Sequence, residues 1–65
     1  MRKIGYINLA TIGFNPIAIY FDDKEKWNKY KVYMEYYSSG KHRRLLDKYA
    51  DLRSAVAYVN DYLKF

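Results

Sequence analysis

The sequence contains no cysteine, one proline, three glycines and one histidine in 65 residues. Without cysteine, disulfide bonds and thiolate zinc sites are excluded. A domain of this size buries only about 60% of the surface that its unfolded chain exposes, and small domains usually compensate with disulfides, a metal or a partner chain. We therefore expect a dense aromatic core or self-association. The lack of cysteine also fits a reducing compartment, so we predict a cytoplasmic protein.

Long apolar runs are also absent. The most apolar segment begins at Ile4, but Asn8, Asn15 and Pro16 interrupt it, and no small-residue cleavage site follows. It falls well short of the ~20 apolar residues that a membrane span needs. The sequence therefore predicts a soluble protein with no signal peptide and no membrane partner.

Residues suited to catalysis or metal binding are scarce. The single histidine, His42, lies between a lysine and an arginine, with no carboxylate beside it to orient the ring. The chain has no cysteine nucleophile, no glycine-rich phosphate loop and no serine in an elbow-like context. Asp22 and Asp23 are adjacent, so their side chains diverge in an extended chain, and no further ligands follow at a useful spacing. We predict no enzymatic activity, no metal site and no cofactor.

Aromatic and basic residues are abundant instead. The chain has nine tyrosines, three phenylalanines and one tryptophan, and its net charge is +5. The segment from Lys24 to Lys48 contains six lysines and two arginines but only three acidic residues. The rest of the chain has four basic and four acidic residues. The whole charge imbalance therefore lies in the middle third. Such a concentration attracts nucleic acid or an acidic protein surface, and the alternative is a solvated face that keeps the protein soluble.

The apolar pattern predicts an α+β fold, in which a small antiparallel meander sheet carries a C-terminal amphipathic helix on one face. We predict a single domain over residues 1–65, with strands at about 3–12, 17–22, 29–37 and 42–48 and a helix at about 51–64. The first strand is apolar on both faces, which is typical of a central strand or one covered on both sides. Gly40 follows two serines and suits a hairpin turn, because glycine tolerates positive φ.

The C-terminal segment has apolar residues at helical spacing, with Asp51 as the expected N-cap. Val56 and Val59 lie in the middle of this stripe and are predicted to be its most buried side chains, while Arg53 and Asn60 fall on the opposite side. Residues 42–50 leave an alternative open. They contain no β-branched residue, which favours a longer helix and a βββα order, but the turn before them and the cap after them favour a fourth strand and the order ββββα.

Basic and aromatic residues alternate along the third strand and its neighbours. On the third strand, one face is expected to carry Tyr30, Val32, Met34 and Tyr36, and the other to carry Lys29, Lys31, Tyr33, Glu35 and Tyr37. Single-stranded nucleic acid is bound by such surfaces, because aromatic rings stack on bases while cations follow the phosphates. We predict a nucleic-acid or partner-binding surface made of Trp27, Lys29, Lys31, Tyr33, Tyr37, Lys41, Arg43 and Arg44.

A second hypothesis is a protein-interaction module, since tyrosine, tryptophan, methionine and arginine are enriched at interface hot spots. Such a module would be a small inhibitor or adaptor of the kind that mobile elements encode, or an obligate homodimer. The surplus of aromatic surface favours a homodimer over a monomer. The alternative is that Phe14 and Trp27 fold back over the second face of the sheet.

Overall fold

The computed structural model describes residues 1–9, 13–37 and 40–63. Four strands form one antiparallel sheet in the order β1-β2-β3-β4, and a helix follows them. The predicted α+β meander with a C-terminal helix is confirmed. The elements are β1 (Arg2–Ile7), β2 (Ile17–Phe21), β3 (Tyr30–Tyr37), β4 (Lys41–Tyr49) and α1 (Leu52–Tyr62).

The segment that was ambiguous in the sequence is a strand. β4 pairs with β3 from Tyr30↔Tyr49 to Tyr37↔Lys41, with one irregularity between Val32 and Tyr33. Cross-strand pairing therefore overrides the weak intrinsic β-propensity of this segment, as is common in sheets. The hairpin between β3 and β4 contains Gly40 at φ +125°, a conformation that side chains other than hydrogen disfavour.

The helix starts where its cap predicts. Asp51 has an extended backbone, and its side chain accepts a hydrogen bond from the amide of Ser54 at 2.7 Å. This bond satisfies one of the unpaired amides in the first helical turn. The cap fixes the end of β4 and turns the chain back across the sheet. Among the described residues, no helix has the length and apolar composition needed to cross a membrane.

One side of the sheet carries the core. The helix packs chiefly on β3 and β4, and most of its apolar partners come from the central strands. The fully or nearly buried members of this core are Leu9, Ile17, Ile19, Val32, Ala55 and Val59. Around them pack the partly buried side chains of Tyr30, Met34, Leu46, Tyr49, Tyr58 and Leu63.

The predicted helix orientation is right for Val59 and wrong for Val56. Val59 is 4% exposed, but Val56 is 41% exposed, and Ala55 occupies the position against the sheet with no exposure. The small Ala55 side chain lets the helix approach the sheet closely, and neighbouring residues on a helix point about 100° apart. Val56 therefore points toward the β1 side. Arg53 and Asn60 are exposed, as predicted.

The first strand also differs from its prediction. β1 ends at Ile7 and is an edge strand that pairs only with β2, whereas its apolar pattern predicted a central or doubly covered strand. Ile4 and Ile7 are 40% and 37% exposed, because α1 lies over the other half of the sheet. Residues 10–12, which the prediction included in this strand, lie outside the described residues. Leu9 is buried, and its carbonyl accepts a hydrogen bond from the amide of Phe14 at 3.1 Å.

Candidate binding face of the sheet

The face of the sheet opposite α1 has no helix or strand over it within residues 1–9, 13–37 and 40–63. We call it the open face. Paired residues of antiparallel strands project on the same side, so the register assigns its members. These are Lys3, Tyr6, Ala18, Tyr20, Lys31, Tyr33, Glu35, Lys41, Arg43, Leu45 and Lys48.

A buried carboxylate lies at the centre of the polar contacts on this face. Glu35 is only 2% exposed. Its Oε1 accepts a hydrogen bond from Lys3 Nζ at 2.8 Å, and its Oε2 accepts one from the Tyr20 hydroxyl at 2.6 Å. Ala18, also fully buried, is small enough for the longer side chains of Lys3 and Tyr20 to pass over it toward Glu35.

These contacts change the protonation of both ionised partners. Burial by itself raises the pKa of the Glu35 carboxyl, but the hydrogen bonds from Lys3 and Tyr20 outweigh burial and hold that pKa below its ordinary value. The hydrogen bond to Glu35 raises the pKa of the Lys3 ammonium, against the lowering effect of its partial burial. Glu35 is therefore ionised at neutral pH, and its charge is compensated by Lys3.

Aromatic rings and a guanidinium group pack beside this carboxylate. The rings of Tyr20 and Tyr33 meet edge to face, with centroids 5.2 Å apart. The Arg43 guanidinium carbon lies 4.9 Å from each of the two ring centroids. We call Lys3, Tyr20, Tyr33, Glu35 and Arg43 together the tyrosine–arginine cluster. Arg43 is exposed, and cation–π contacts at exposed sites contribute about 0.5–1 kcal/mol each.

Three of the predicted binding residues with described side chains lie together at or near this cluster: Tyr33, Lys41 and Arg43. Lys41 begins β4, two residues before Arg43, and it contributes to the lowered pKa of Glu35 through its positive charge. The backbone of Tyr37 pairs with Lys41, and the Tyr37 side chain lies outside the described part of the structure.

Lys31 belongs to the open face but is engaged by acidic side chains. Its Nζ donates a hydrogen bond to Asp22 Oδ2 at 2.9 Å and lies 3.2 Å from Glu25 Oε1. The Lys31 side chain is only 13% exposed. The hydrogen bond to Asp22 raises the pKa of Lys31 and lowers that of Asp22. These contacts tie the loop after β2 to β3, so Lys31 has a structural role.

The structure does not bring the remaining predicted residues to the cluster. Arg44 pairs with Met34, which packs on the core, so Arg44 lies on the helix side of the sheet and the expectation that it accompanies Arg43 is wrong. Adjacent residues of a strand point to opposite faces. Trp27 is 71% exposed in the loop between β2 and β3, next to Lys26. Lys29 precedes β3 at that same end, away from the end that holds Lys41.

Three members of the tyrosine–arginine cluster were not predicted from the sequence as binding residues. Lys3, Tyr20 and Glu35 come from three different strands, and Lys3 is separated from Glu35 by 32 positions. One signal was present: Glu35 is the only acidic residue in β3 and falls on its polar face. No local pattern indicates that Lys3 would be its partner.

Comparison of the chain with protein-family models, with curated proteins and with solved structures gives no match.

Proposed function

We propose that this protein is a non-enzymatic binder of single-stranded nucleic acid and that it binds through the open face. The observation that carries the proposal is the position of Arg43, which lies over Tyr20 and Tyr33 in the middle of a face rich in cations. Base rings stack on aromatic side chains and on the planes of arginine guanidinium groups. Arg43 and the half-buried Tyr33 provide both kinds of surface, and Tyr20, which is only 7% exposed, supports Arg43 from beneath.

The charge of this face supports the same proposal. The described strands place four lysines and one arginine on it, and Glu35 is the only carboxylate that they contribute. Because Lys3 compensates Glu35 and Lys31 is held by loop carboxylates, the cations left for a ligand are Lys41, Arg43 and Lys48. Three cations along one strand fit the spaced charges of a phosphate backbone.

The test is fluorescence anisotropy with a labelled 12-nucleotide DNA or RNA strand of mixed sequence at several salt concentrations. We expect log Kd to rise linearly with log salt, with a slope of about 1.4 for two contacted phosphates or about 2 for three, since each contributes about 0.7 in single strands. No affinity for either strand at low salt rejects the proposal.

A matched pair of tyrosine variants locates the binding surface in the same assay. Tyr6 lies on the open face and is 47% exposed, whereas Tyr62 lies on the helix and is 37% exposed. Tyr6→Leu should weaken binding about 10-fold, because one base–ring stack contributes about 1–3 kcal/mol. Tyr62→Leu should leave the affinity within about 2-fold. Equal effects of the two changes place the binding surface elsewhere.

We also propose, as a second candidate function, self-association through the uncovered half of the helix side. A largely apolar groove of about 150 Å³ runs between β1 and α1 and is lined by Gly5, Tyr6, Ile7, Ile17, Ile19, Val56, Val59 and Asn60. The β1 edge beside it has no strand partner within the described residues. β4, the other edge, carries Lys41, Arg43, Arg44 and Lys48, and such charges oppose edge-to-edge pairing. Phe14 and Trp27 are 45% and 71% exposed, so they do not cover the apolar surface as one alternative predicted.

Sedimentation equilibrium at micromolar concentration tests this second candidate. We expect a species of twice 7.9 kDa. Val56→Lys should yield a folded monomer, because Val56 is 41% exposed and its replacement leaves the buried core intact. Leu45→Lys, at a similarly exposed apolar position on the open face, should remain a dimer. A wild-type chain that sediments at 7.9 kDa rejects the homodimer.

A further inference from the structure

A recess of about 230 Å³ opens next to the tyrosine–arginine cluster, where the hairpin between β3 and β4 meets the sheet. It is lined by Tyr20, Glu35, Lys41, His42 and Arg43. Two of these, Glu35 at 2% and Tyr20 at 7% exposure, are polar side chains fixed in the protein interior by hydrogen bonds to each other and to Lys3. The recess therefore has a rigid polar base and cationic walls.

The charges around the recess favour an anion. Each oxygen of Glu35 accepts one hydrogen bond, from Lys3 and from Tyr20, so this single carboxylate is outnumbered by Lys3 and by the two cations in the walls, Lys41 and Arg43. Within residues 1–9, 13–37 and 40–63, no carboxylate lies within ion-pair distance of Lys41 or Arg43. The formal charges of Lys3, Lys41 and Arg43 against that of Glu35 leave a local surplus of +2.

The orientation of Arg43 determines which anions fit. Its guanidinium group lies over two rings rather than against the carboxylate of Glu35, its direct neighbour in the register. In the part of the chain that the structure describes, the Arg43 guanidinium N–H groups donate no hydrogen bond and form no ion pair, so they are available to a ligand. These donors form a planar fork that matches two oxygens of one phosphate or carboxylate.

We infer that this recess binds one phosphate group of the bound strand, with Arg43 gripping two oxygens and Lys41 pairing with the same group. The inference rests on the proposed function and names a single subsite within the open face. A phosphodiester has two non-bridging oxygens for the fork, and it lies within one nucleotide of a base that stacks on Tyr33. Tyr20 and Glu35 act as positioning residues, because Glu35 holds the Tyr20 ring on which Arg43 rests.

A double-mutant cycle on the labelled strand tests whether Lys41 and Arg43 share one phosphate. We expect Lys41→Ala and Arg43→Ala each to weaken binding about 10-fold. The double variant should weaken binding about 20-fold, whereas independent effects would multiply to about 100-fold. In the double variant, the slope of log Kd against log salt should fall by about 0.7, which is the value for one phosphate. Arg43→Lys should recover only part of the lost affinity, because lysine keeps the charge and lacks the fork.

Lys48 supplies the matched control, since it lies on the same face of the same strand at the other end of the sheet. Lys48→Ala combined with Arg43→Ala should give the product of the two single effects. All the changed residues are exposed, and circular dichroism confirms that each variant is folded. Multiplicative effects of the Lys41 and Arg43 changes, with a loss of about 1.4 in the salt slope of the double variant, would overturn the shared-phosphate site.

Titration of ¹⁵N-labelled protein with inorganic pyrophosphate separates this inference from the proposed function. We expect saturable amide shifts at residues 41–43 and at Tyr20, and their loss in Arg43→Ala. If pyrophosphate saturates the recess and no strand binds, the phosphate subsite stands and nucleic-acid binding is rejected. If the strand binds but the amides of residues 41–43 respond to neither ligand, the subsite is wrong and the proposed function stands. If neither pyrophosphate nor the strand binds, both the phosphate subsite and nucleic-acid binding are rejected.

Discussion

Glu35→Ala is expected to lower the free energy of unfolding by about 2–3 kcal/mol. The change removes two hydrogen bonds to a charged acceptor, each worth about 1.5–3 kcal/mol in favourable cases. The Tyr20 hydroxyl then loses its partner in a site that is 7% exposed. The Lys3 side chain is 34% exposed and regains water, so its part of the loss is smaller. A domain of 65 residues has a total stability of about 3–10 kcal/mol, so this loss is large.

Glu25 provides the control for this prediction, because it is also a carboxylate near a lysine. Its side chain is 37% exposed and lies 3.2 Å from Lys31, which keeps its shorter bond to Asp22. Glu25→Ala should change the stability by less than about 1 kcal/mol, as is usual for exposed ion pairs. Urea unfolding of both variants at pH 7 makes the comparison. Equal losses would mean that Glu35 is not buried in the way that the structure indicates.

The same carboxylate makes the free energy of unfolding depend on pH. The pKa of Glu35 is lowered in the folded state, so its contribution to stability is present above its unfolded value near 4.5 and is lost as the pH falls through the folded value. Urea unfolding at pH 3–7 should show this loss in the wild type and a shallower loss in Glu35→Gln. The stability of Glu35→Gln should still depend on pH to some extent, because hydrogen bonds also lower the pKa values of Asp22 and Asp51.

Glu35 connects stability with the proposed binding surface. Its bond to Tyr20 fixes the ring that carries Arg43, so the cluster is ordered before a ligand arrives. Fixing a long, flexible arginine in advance reduces the entropy lost on binding. A surface of exposed tyrosines and arginines with no such carboxylate would have to order these side chains during association. This is why we assign Glu35 a positioning role and no direct contact with the strand.

The faces of β3 illustrate what the sequence predicted well. Alternation along this strand placed Val32 and Met34 on one side and Tyr33 and Glu35 on the other, and the structure has the same assignment. Period-two alternation depends only on the pleat of a single strand, so it needs no knowledge of the neighbours. The cap at Asp51 was predictable for the same reason, because its hydrogen bond spans three residues.

The position of β1 and the partner of Glu35 depend on contacts far apart in the chain. The apolar pattern of β1 shows that its side chains favour burial, but α1 covers only the other half of the sheet, and the pattern carries no information about that coverage. Likewise, Val56 and Val59 are equally apolar in the sequence. Which of them faces the sheet depends on how closely Ala55 lets the helix approach, and this is a property of the packed state.

Ile17→Ala should be the most destabilising single change considered, lowering the free energy of unfolding by about 2–4 kcal/mol. Ile17 is 1% exposed and lies in the core, with Ile7 and Met34 as its neighbours in the sheet. Truncation of a buried isoleucine to alanine removes its transfer free energy and leaves a cavity that the surroundings fill only in part. At the lower end of the stability expected for this length, the variant is largely unfolded at 37 °C.

Ile7→Ala is the matched control, because the same side chain is removed from the directly paired position on β1, where it is 37% exposed. Without a fully enclosed cavity, the expected loss is about 1 kcal/mol or less. Thermal and urea unfolding of both variants, repeated at a low and a high protein concentration, measures the difference. An equally large loss for Ile7→Ala at both concentrations would contradict the edge position of β1 in the monomer. A loss that appears only at the high concentration would instead show that Ile7 is buried by a second copy of the chain, since self-association makes stability depend on concentration.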